Sequence, residues 1–156
     1  MYHRILMPYD GSEASTHALK EALALAKDQA AQLRIIHIID VNPPGIDPGF
    51  IDLQAYEQRM RADGQEVLDK ARQIYCQDEV TPEFALIASS MPPSDAIVEE
   101  ARRWPADLIV MGTHGRSGLS HLLMGSVAES VFRKSPEPVL LFRDPGEKYL
   151  VTRLRK

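Results

Sequence analysis

Short apolar runs alternate with longer segments of helical periodicity along almost the whole chain, and this alternation restricts the possible folds most. The apolar runs are RILMPY at 4–9, LRIIHIID at 33–40, EFALIA at 83–88, DLIVM at 107–111 and PVLLF at 138–142. The helical patterns occupy residues 14–31, 51–77, 94–103 and 126–135. Continuous apolar runs are typical of parallel strands that helices cover on both faces. With right-handed crossovers, the pattern predicts one α/β domain: a doubly wound, parallel, five-stranded sheet of order 3-2-1-4-5, with helices on both faces.

Length and composition are those of an ordinary globular domain. The chain has 156 residues, of which 44% are hydrophobic and 26% are charged, and its formal net charge is −4. We expect one domain over residues 1–145 and a polar, basic tail over 146–156. The net charge argues against a general nucleic-acid binder, and no apolar stretch approaches the roughly 18 residues that span a membrane. We therefore expect neither nucleic acid nor a membrane as a partner. A single cysteine excludes an intrachain disulfide framework, which favours a cytoplasmic location.

Two loops are candidates for a binding site. In an open parallel sheet, ligands bind beyond the carboxyl ends of the strands, where the strand order reverses. PYDGS follows the first strand, and GTHGRSGLSHLLMGS at 112–126 follows the fourth, so the two loops would line one crevice. The second loop opens a helix at Gly125 and Ser126, where free amides and the helix dipole favour an anion, and His114 and Arg116 add donors or positive charge. Two alternatives stay open: the glycines only solve a connection problem, or Ser126 caps the helix in a capping box with Glu129.

Several familiar signatures are absent from the sequence. There is no G-x-x-x-x-G-K-[ST] phosphate loop, no G-x-G-x-x-G after the first strand and no G-x-S-x-G nucleophile elbow. No ligand cluster for a permanent metal is visible, and no positioned general base can be named near the glycine-rich loop. The sequence therefore predicts no catalytic residue and no metal site.

The glycine spacing resembles a known signature. Gly112-x2-Gly115-x9-Gly125-Ser126 is similar to the ATP-binding motif G-x2-G-x9-G-[ST] of the universal stress proteins. ILMPYDGSE, IIHIID and SVAESVFRKSPEPVLLF resemble the same family, and the resemblance covers about residues 2–143. It implies a protein that binds ATP, or ADP or AMP, with Mg²⁺ carried by the phosphates, and that acts as a sensor or switch in the stress response with little or no turnover. The alternatives are a slow ATP-hydrolysing or adenylyl-transferring enzyme, and an interaction dimer without a ligand.

The resemblance also implies roles for individual residues. The implied nucleotide-binding residues are Pro8, Tyr9, Asp10, Ile38, Met111, Gly112, His114, Gly115, Arg116, Gly125, Ser126 and Val127. Asp10 would hold the ribose hydroxyls, Pro8 and Tyr9 would lie beside the base, and the backbone of Ile38 would contact the adenine edge. The phosphates would be held by the amides of the glycines in the motif together with Ser126 and Val127, and Arg116 would reach the phosphate tail.

Two departures from the family pattern concern the base pocket. Met91 stands in Met-Pro-Pro where members commonly carry Gly-x-Pro, and Tyr9 is bulkier than the small residues often found at its position. If Met91 projects toward the base, it would narrow the site or change the base preference.

Residues outside these loops carry further predictions. As the last strand of the predicted order, PVLLF would form an edge of the sheet, and the resemblance implies that Val139, Leu140, Leu141 and Phe142 form a homodimer seam. The alternative is an edge that the basic tail protects. We interpret His37 as a core or strand-end histidine with one satisfied nitrogen, and Glu99 and Glu100 as a solvated helix face. Ser12 is interpreted as the N-cap of the first helix, with contact to a phosphate as the alternative.

Overall fold

The fold is an alternating α/β domain, seen in a computed structural model that describes residues 1–42, 45, 49, 52–75, 80–113, 125–143 and 151–153. The strands are β1 (Arg4–Pro8), β2 (Gln32–Asp40), β3 (Glu83–Ser89), β4 (Leu108–Gly112), β5 (Val139–Phe142) and β6 (Val151–Arg153). The helices are α1 (Glu13–Gln29), α2 (Leu53–Ile74), α3 (Pro93–Arg103) and α4 (Ser126–Lys134). Each predicted strand and helix is present, with small differences at the ends.

The sheet has the order β3-β2-β1-β4-β5-β6. Its first five strands are parallel, which confirms the predicted order 3-2-1-4-5. β6 comes from the predicted tail and pairs antiparallel with β5, so that Leu140 lies opposite Thr152. The prediction that β5 is an edge strand is therefore wrong for the single chain. An apolar edge strand presents a row of backbone donors and acceptors, and here a later segment of the same chain pairs with them.

Two hydrophobic cores lie on the two faces of the sheet. Ile5 and Met7 of β1 point toward α1 and α2, where they pack with Leu19, Leu68 and other buried residues. Leu6 of β1 points to the opposite face, into a core formed with α3 and α4. This alternation along one strand gives both faces a helical cover, and the predicted covering of both faces is confirmed.

The predicted solvated face of α3 is correct at Glu99 and wrong at Glu100. Glu99 pairs with Arg103 at the surface, at 3.1 Å. Glu100 is only 8% exposed and accepts a hydrogen bond of 2.6 Å from Nη1 of Arg34 on β2. The guanidinium also donates to Glu83 on β3 at 2.8 Å and lies 5.1 Å from the centre of the Trp104 ring. These contacts fasten α3 to the sheet.

Within the part of the chain that the structure describes, no helix is both long enough and apolar enough to cross a membrane.

Candidate ligand-binding site

A cavity of about 360 Å³ opens between the carboxyl ends of β1 and β4. The chain leaves β1 toward β2 on one side, whereas β4 and β5 lie on the other, so this is the switch point of the sheet. The lining residues are Pro8, Tyr9, Asp10, Ser15, Ile36, His37, Ile38, Pro93, Ile97, Met111, Gly112, Thr113, Gly125, Ser126, Val127 and Ala128. Part of the first loop (Pro8, Tyr9 and Asp10) and the two described ends of the second loop, at residues 112–113 and 125–126, line one crevice.

The structure brings the predicted site residues together wherever it describes them. Those in the lining are Pro8, Tyr9, Asp10, Ile38, Met111, Gly112, Gly125, Ser126 and Val127. The remaining three, His114, Gly115 and Arg116, lie outside the described residues. That these residues bind a nucleotide stays a prediction.

Sequence reasoning missed part of the lining. The additional residues are Ser15, Ile36, His37, Pro93, Ile97, Thr113 and Ala128. Pro93 and Ile97 come from α3, whose inward face was visible in the helical periodicity, but nothing in that pattern indicates that it reaches the cavity. Thr113 directly follows Gly112 of the glycine motif, and this adjacency is the one feature of the sequence that could have placed it in the lining.

A tight turn joins β1 to α1 at the rim of the cavity. The Asp10 carboxylate accepts a hydrogen bond of 2.9 Å from the amide of Ser12, and Gly11 between them has a φ of +81°, which a glycine adopts without strain. The Ser12 hydroxyl accepts from the amide of Ser15 at 3.1 Å, which confirms Ser12 as the N-cap of α1. The turn therefore holds Asp10 in a defined position at the end of β1.

Gly112 allows β4 to approach the start of α1 very closely. A Cβ built on Gly112 would lie 2.7 Å from the carbonyl carbon of Ala14 and 2.8 Å from the nitrogen of Ser15. Both atoms belong to the helix backbone, so only a glycine fits at this position of β4 without a shift of α1. Gly112 thus has a packing role, whatever its amide binds.

The N-terminus of α4 faces the same cavity. Gly125 is its N-cap, with no side-chain cap bond, and Ser126 is the first helical residue. The alternative in which Ser126 caps the helix is therefore wrong. The amide of Gly125 donates to the carbonyl of Thr113 at 2.7 Å and is already satisfied. The amides of Ser126, Val127 and Ala128 have no backbone acceptor among the described residues, as is usual for the first turn of a helix.

The other walls of the cavity are mostly apolar. Ile36, Ile38, Ile97 and Met111 supply aliphatic surface. Met91, whose position had raised the question of a narrowed pocket, is 43% exposed and does not belong to the lining. The ring of Tyr9 is buried in the core on the side of α1 and α2, and its hydroxyl shares a hydrogen bond of 3.3 Å with Thr16.

Charge is scarce in the part of the lining that the structure describes. Asp10 is its only carboxylate, and none of these residues is Lys or Arg. No group of three or more His, Cys, Asp or Glu side chains within the described ranges is arranged to hold a metal ion. Within this part of the lining, favourable potential for an anion comes from the N-terminus of α4.

His37 belongs to the lining and to the interior of β2. Its Nδ1 lies 2.8 Å from the carbonyl oxygen of Tyr9. The prediction of a histidine with one satisfied ring nitrogen is confirmed.

Fold and site together define a class: a doubly wound α/β domain with a ligand cavity at its switch point. Comparison with protein families then gives a specific result, because the model described as "Universal stress protein family" matches residues 1–143. The chain belongs to the universal stress protein family.

Individual relatives are similar over nearly the whole chain. Universal stress protein MJ0531 from Methanocaldococcus jannaschii is 35% identical over 148 residues, which cover 95% of this chain and 86% of that protein. A crystal structure of a universal stress protein family member from Burkholderia pseudomallei is 33% identical with a TM-score of 0.70, covering 90% of this chain and 96% of the other. A universal stress protein crystallised in complex with cAMP is 27% identical with a TM-score of 0.62, covering 92% and 98%.

Proposed function

We propose that this protein binds an adenine nucleotide, ATP in the first place, in the cavity between β1 and β4. One observation carries the proposal: the cavity combines an apolar wall, a carboxylate held by a turn, and an open helix N-terminus. These are the surroundings that a base, a ribose and a phosphate chain require, in that order. The related protein crystallised with cAMP supports the choice of an adenine nucleotide.

Charge determines how the nucleotide would lie. A phosphate beside Asp10 would meet a like charge, whereas the first turn of α4 offers the amides of Ser126, Val127 and Ala128. We therefore place the phosphates at α4, the ribose hydroxyls at Asp10 and the base between Ile38 and Met111. Mg²⁺ would arrive on the phosphates, and His114 and Arg116 of the glycine-rich loop would add positive charge.

We further propose that the protein is a sensor or switch in the stress response with little or no turnover of ATP. The two polar side chains of the lining that suit a general base both have structural partners. Asp10 accepts from the amide of Ser12, and Nδ1 of His37 is bound to the carbonyl of Tyr9. A cytoplasmic location completes the proposal.

A homodimer that pairs residues 139–142 of two copies is part of the same proposal. Leu140 and Phe142 are half-buried in the single chain, and β6 lies along the outer side of β5. Pairing through β5 therefore requires β6 to leave it.

Ligand analysis tests the proposed function directly. The purified protein is denatured and its released small molecules are analysed, and the stripped protein is then titrated with ATP, ADP, AMP and cyclic AMP. Retained ATP, or a dissociation constant of about 1 μM to 100 μM without turnover, is the expected result. Rapid hydrolysis would favour the enzyme, and the absence of binding would favour a dimer without a ligand.

A pair of aspartate variants sharpens this test. Asp10 lies two residues beyond the end of β1, and Asp40 is the last residue of β2. Each carboxylate accepts from the amide of the residue two positions later, at 2.9 Å and 2.8 Å, but only Asp10 lines the cavity. Asp10→Asn is expected to weaken ATP binding about tenfold, because charge-assisted hydrogen bonds are roughly twice as strong as neutral ones. Asp40→Asn should leave the affinity unchanged. The loss should disappear with 2′,3′-dideoxy-ATP, and an equal loss with that analogue would contradict the ribose assignment.

A further inference from the structure

The hydrogen-bond ladder between β1 and β2 has a fixed parity. The amide of Gln32 donates to the carbonyl of His3 at 2.9 Å, and the amide of Tyr9 donates to the carbonyl of Ile36 at 2.8 Å. The backbone N–H and C=O groups of the even-numbered residues of β2 therefore point toward β1. The amide of Val41 donates to Ser89 on the opposite side, at 3.1 Å. In a parallel ladder the N–H and C=O of one residue point the same way, and the next bond would run from the amide of Ile38 to the carbonyl of Tyr9.

A side chain donates to the oxygen that would accept this next bond. Nδ1 of His37 lies 2.8 Å from the carbonyl oxygen of Tyr9. A carbonyl oxygen only accepts, so Nδ1 carries the proton and donates. Among the residues that the structure describes, the amide of Ile38 makes no backbone hydrogen bond to Tyr9. Ile38 thus presents both its N–H and its C=O to the space beyond the end of β1, where it lines the cavity.

A glycine in α2 gives the imidazole its place. A Cβ built on Gly64 would lie 3.2 Å from Cδ2 of His37 and 2.7 Å from Cγ2 of Ile39. The absence of that carbon lets α2 lie close to β2 beside the imidazole ring. The donor position of Nδ1 is therefore supported from the side of the helix.

We propose that His37 is a positioning residue for base recognition, which it serves by keeping the β1–β2 ladder open at Ile38. The N–H of Ile38 donates to N1 of adenine, and its C=O accepts from the 6-amino group. Hypoxanthine and guanine present a donor at N1 and an acceptor at position 6, so the same pair opposes them. The family resemblance already implies that the backbone of Ile38 contacts the adenine edge. This inference rests on the proposed function and adds to it the role of His37.

The first measurement needs no nucleotide. Amide hydrogen exchange of Ile38 is followed by NMR in the wild type, His37→Leu and His37→Gln. In the wild type the amide of Ile38 should exchange at least about tenfold faster than that of Ile36, which lies within the ladder. His37→Leu removes the donor, so the amide of Ile38 should bind Tyr9 and exchange about tenfold more slowly. His37→Gln keeps an N–H donor and should restore rapid exchange. Slow exchange in the wild type, or no change in His37→Leu, would overturn the inference.

The second measurement compares ATP with ITP, which differ only at the base. The wild type should prefer ATP by about 100-fold, and His37→Leu should lose about tenfold in affinity for ATP with little change for ITP. His37→Gln should restore the preference. His17→Leu is the matched control, because Nδ1 of His17 also lies 2.8 Å from a backbone carbonyl, that of Arg143, but His17 does not line the cavity. The control should alter neither exchange at Ile38 nor the ratio of affinities.

The outcomes separate this inference from the proposed function. Nucleotide binding with an unchanged ATP-to-ITP ratio in His37→Leu would overturn the role of His37 and leave the proposed function standing. Failure of the wild type to bind any nucleotide would overturn both, and the exchange data would then report only on the strand pair.

Discussion

The close approach of β4 to α1 gives a prediction for Gly112→Ala. The added carbon would meet the carbonyl carbon of Ala14 at 2.7 Å, whereas ordinary contacts of a Cβ lie at 3.4 Å or more. The first turn of α1 must therefore retreat by about 0.7 Å, the difference between these two distances. Ser12 caps this turn and its amide donates to the Asp10 carboxylate, so the shift also reaches the rim of the cavity.

The expected cost follows from the kind of atoms involved. Overpacking typically destabilises a protein by about 1–3 kcal/mol, and a clash with backbone belongs near the upper end. Replacement of a glycine by alanine regains roughly 0.4–1 kcal/mol by restricting the unfolded chain. We expect a net loss of about 2 kcal/mol in the free energy of unfolding and a Tm lower by about 6 °C.

A double-mutant cycle identifies the clashing atoms. Urea and thermal unfolding are measured for Gly112→Ala, Ala14→Gly and the double variant. The Cβ of Ala14 also lies close, at 2.9 Å, but its removal leaves the contacts with the carbonyl carbon of Ala14 and the nitrogen of Ser15. The two changes should therefore add within about 0.5 kcal/mol. Full rescue by Ala14→Gly, or a Gly112→Ala protein as stable as the wild type, would refute the backbone argument.

Three further predictions concern other parts of the molecule. Glu100→Gln should lower the free energy of unfolding by about 2 kcal/mol, because it leaves the charge of Arg34 without its buried partner. Glu99→Gln at the surface should cost less than about 0.5 kcal/mol. Equal losses of the two variants in urea denaturation would contradict the structural role of the Glu100–Arg34 pair. Gly125→Val should weaken ATP binding at least about tenfold in calorimetric titration while the domain stays folded, because a branched side chain would enter the space beside the first turn of α4. A chain that ends at Arg143 lacks β6 and should dimerise about tenfold more tightly in sedimentation equilibrium than the full chain; a truncated chain that stays monomeric would exclude β5 as the seam.

The sequence predicts the fold because the periodicity of apolar residues is local information. Continuous apolar runs and helical stripes identify the elements, and the handedness of crossovers restricts their order. β6 could not be predicted in this way, because its three residues VTR lie in a polar segment without periodic apolar positions. Its strand conformation depends on pairing with β5, which is a tertiary contact.

The site divides in the same way. Spacing and resemblance identify Asp10 and the glycines of the loop, and the structure brings those that it describes around one cavity. Contacts between residues remote in sequence could not be inferred. Glu100 bonds to Arg34, which lies 66 positions away in the sequence, and Nδ1 of His37 bonds to the carbonyl of Tyr9, which lies 28 positions away. A charged residue on a helix is usually solvated, so the interpretation of Glu100 fails where a cation on the neighbouring strand reaches it.

The reversed direction of β6 has a practical consequence for attaching other molecules to this protein. β6 returns from the cavity side of the sheet, and Arg153 lies opposite Val139 at the start of β5. At the same pole, the amides of His3 and Arg4 are tied to the carboxylate of Asp107 at 2.7 Å and 3.0 Å. A fluorophore, an immobilisation tether or a fused domain attached before β1 or after β6 would emerge there, remote from the cavity mouth. Surface-based or fluorescence binding assays can therefore use either attachment point without obstructing entry of a ligand.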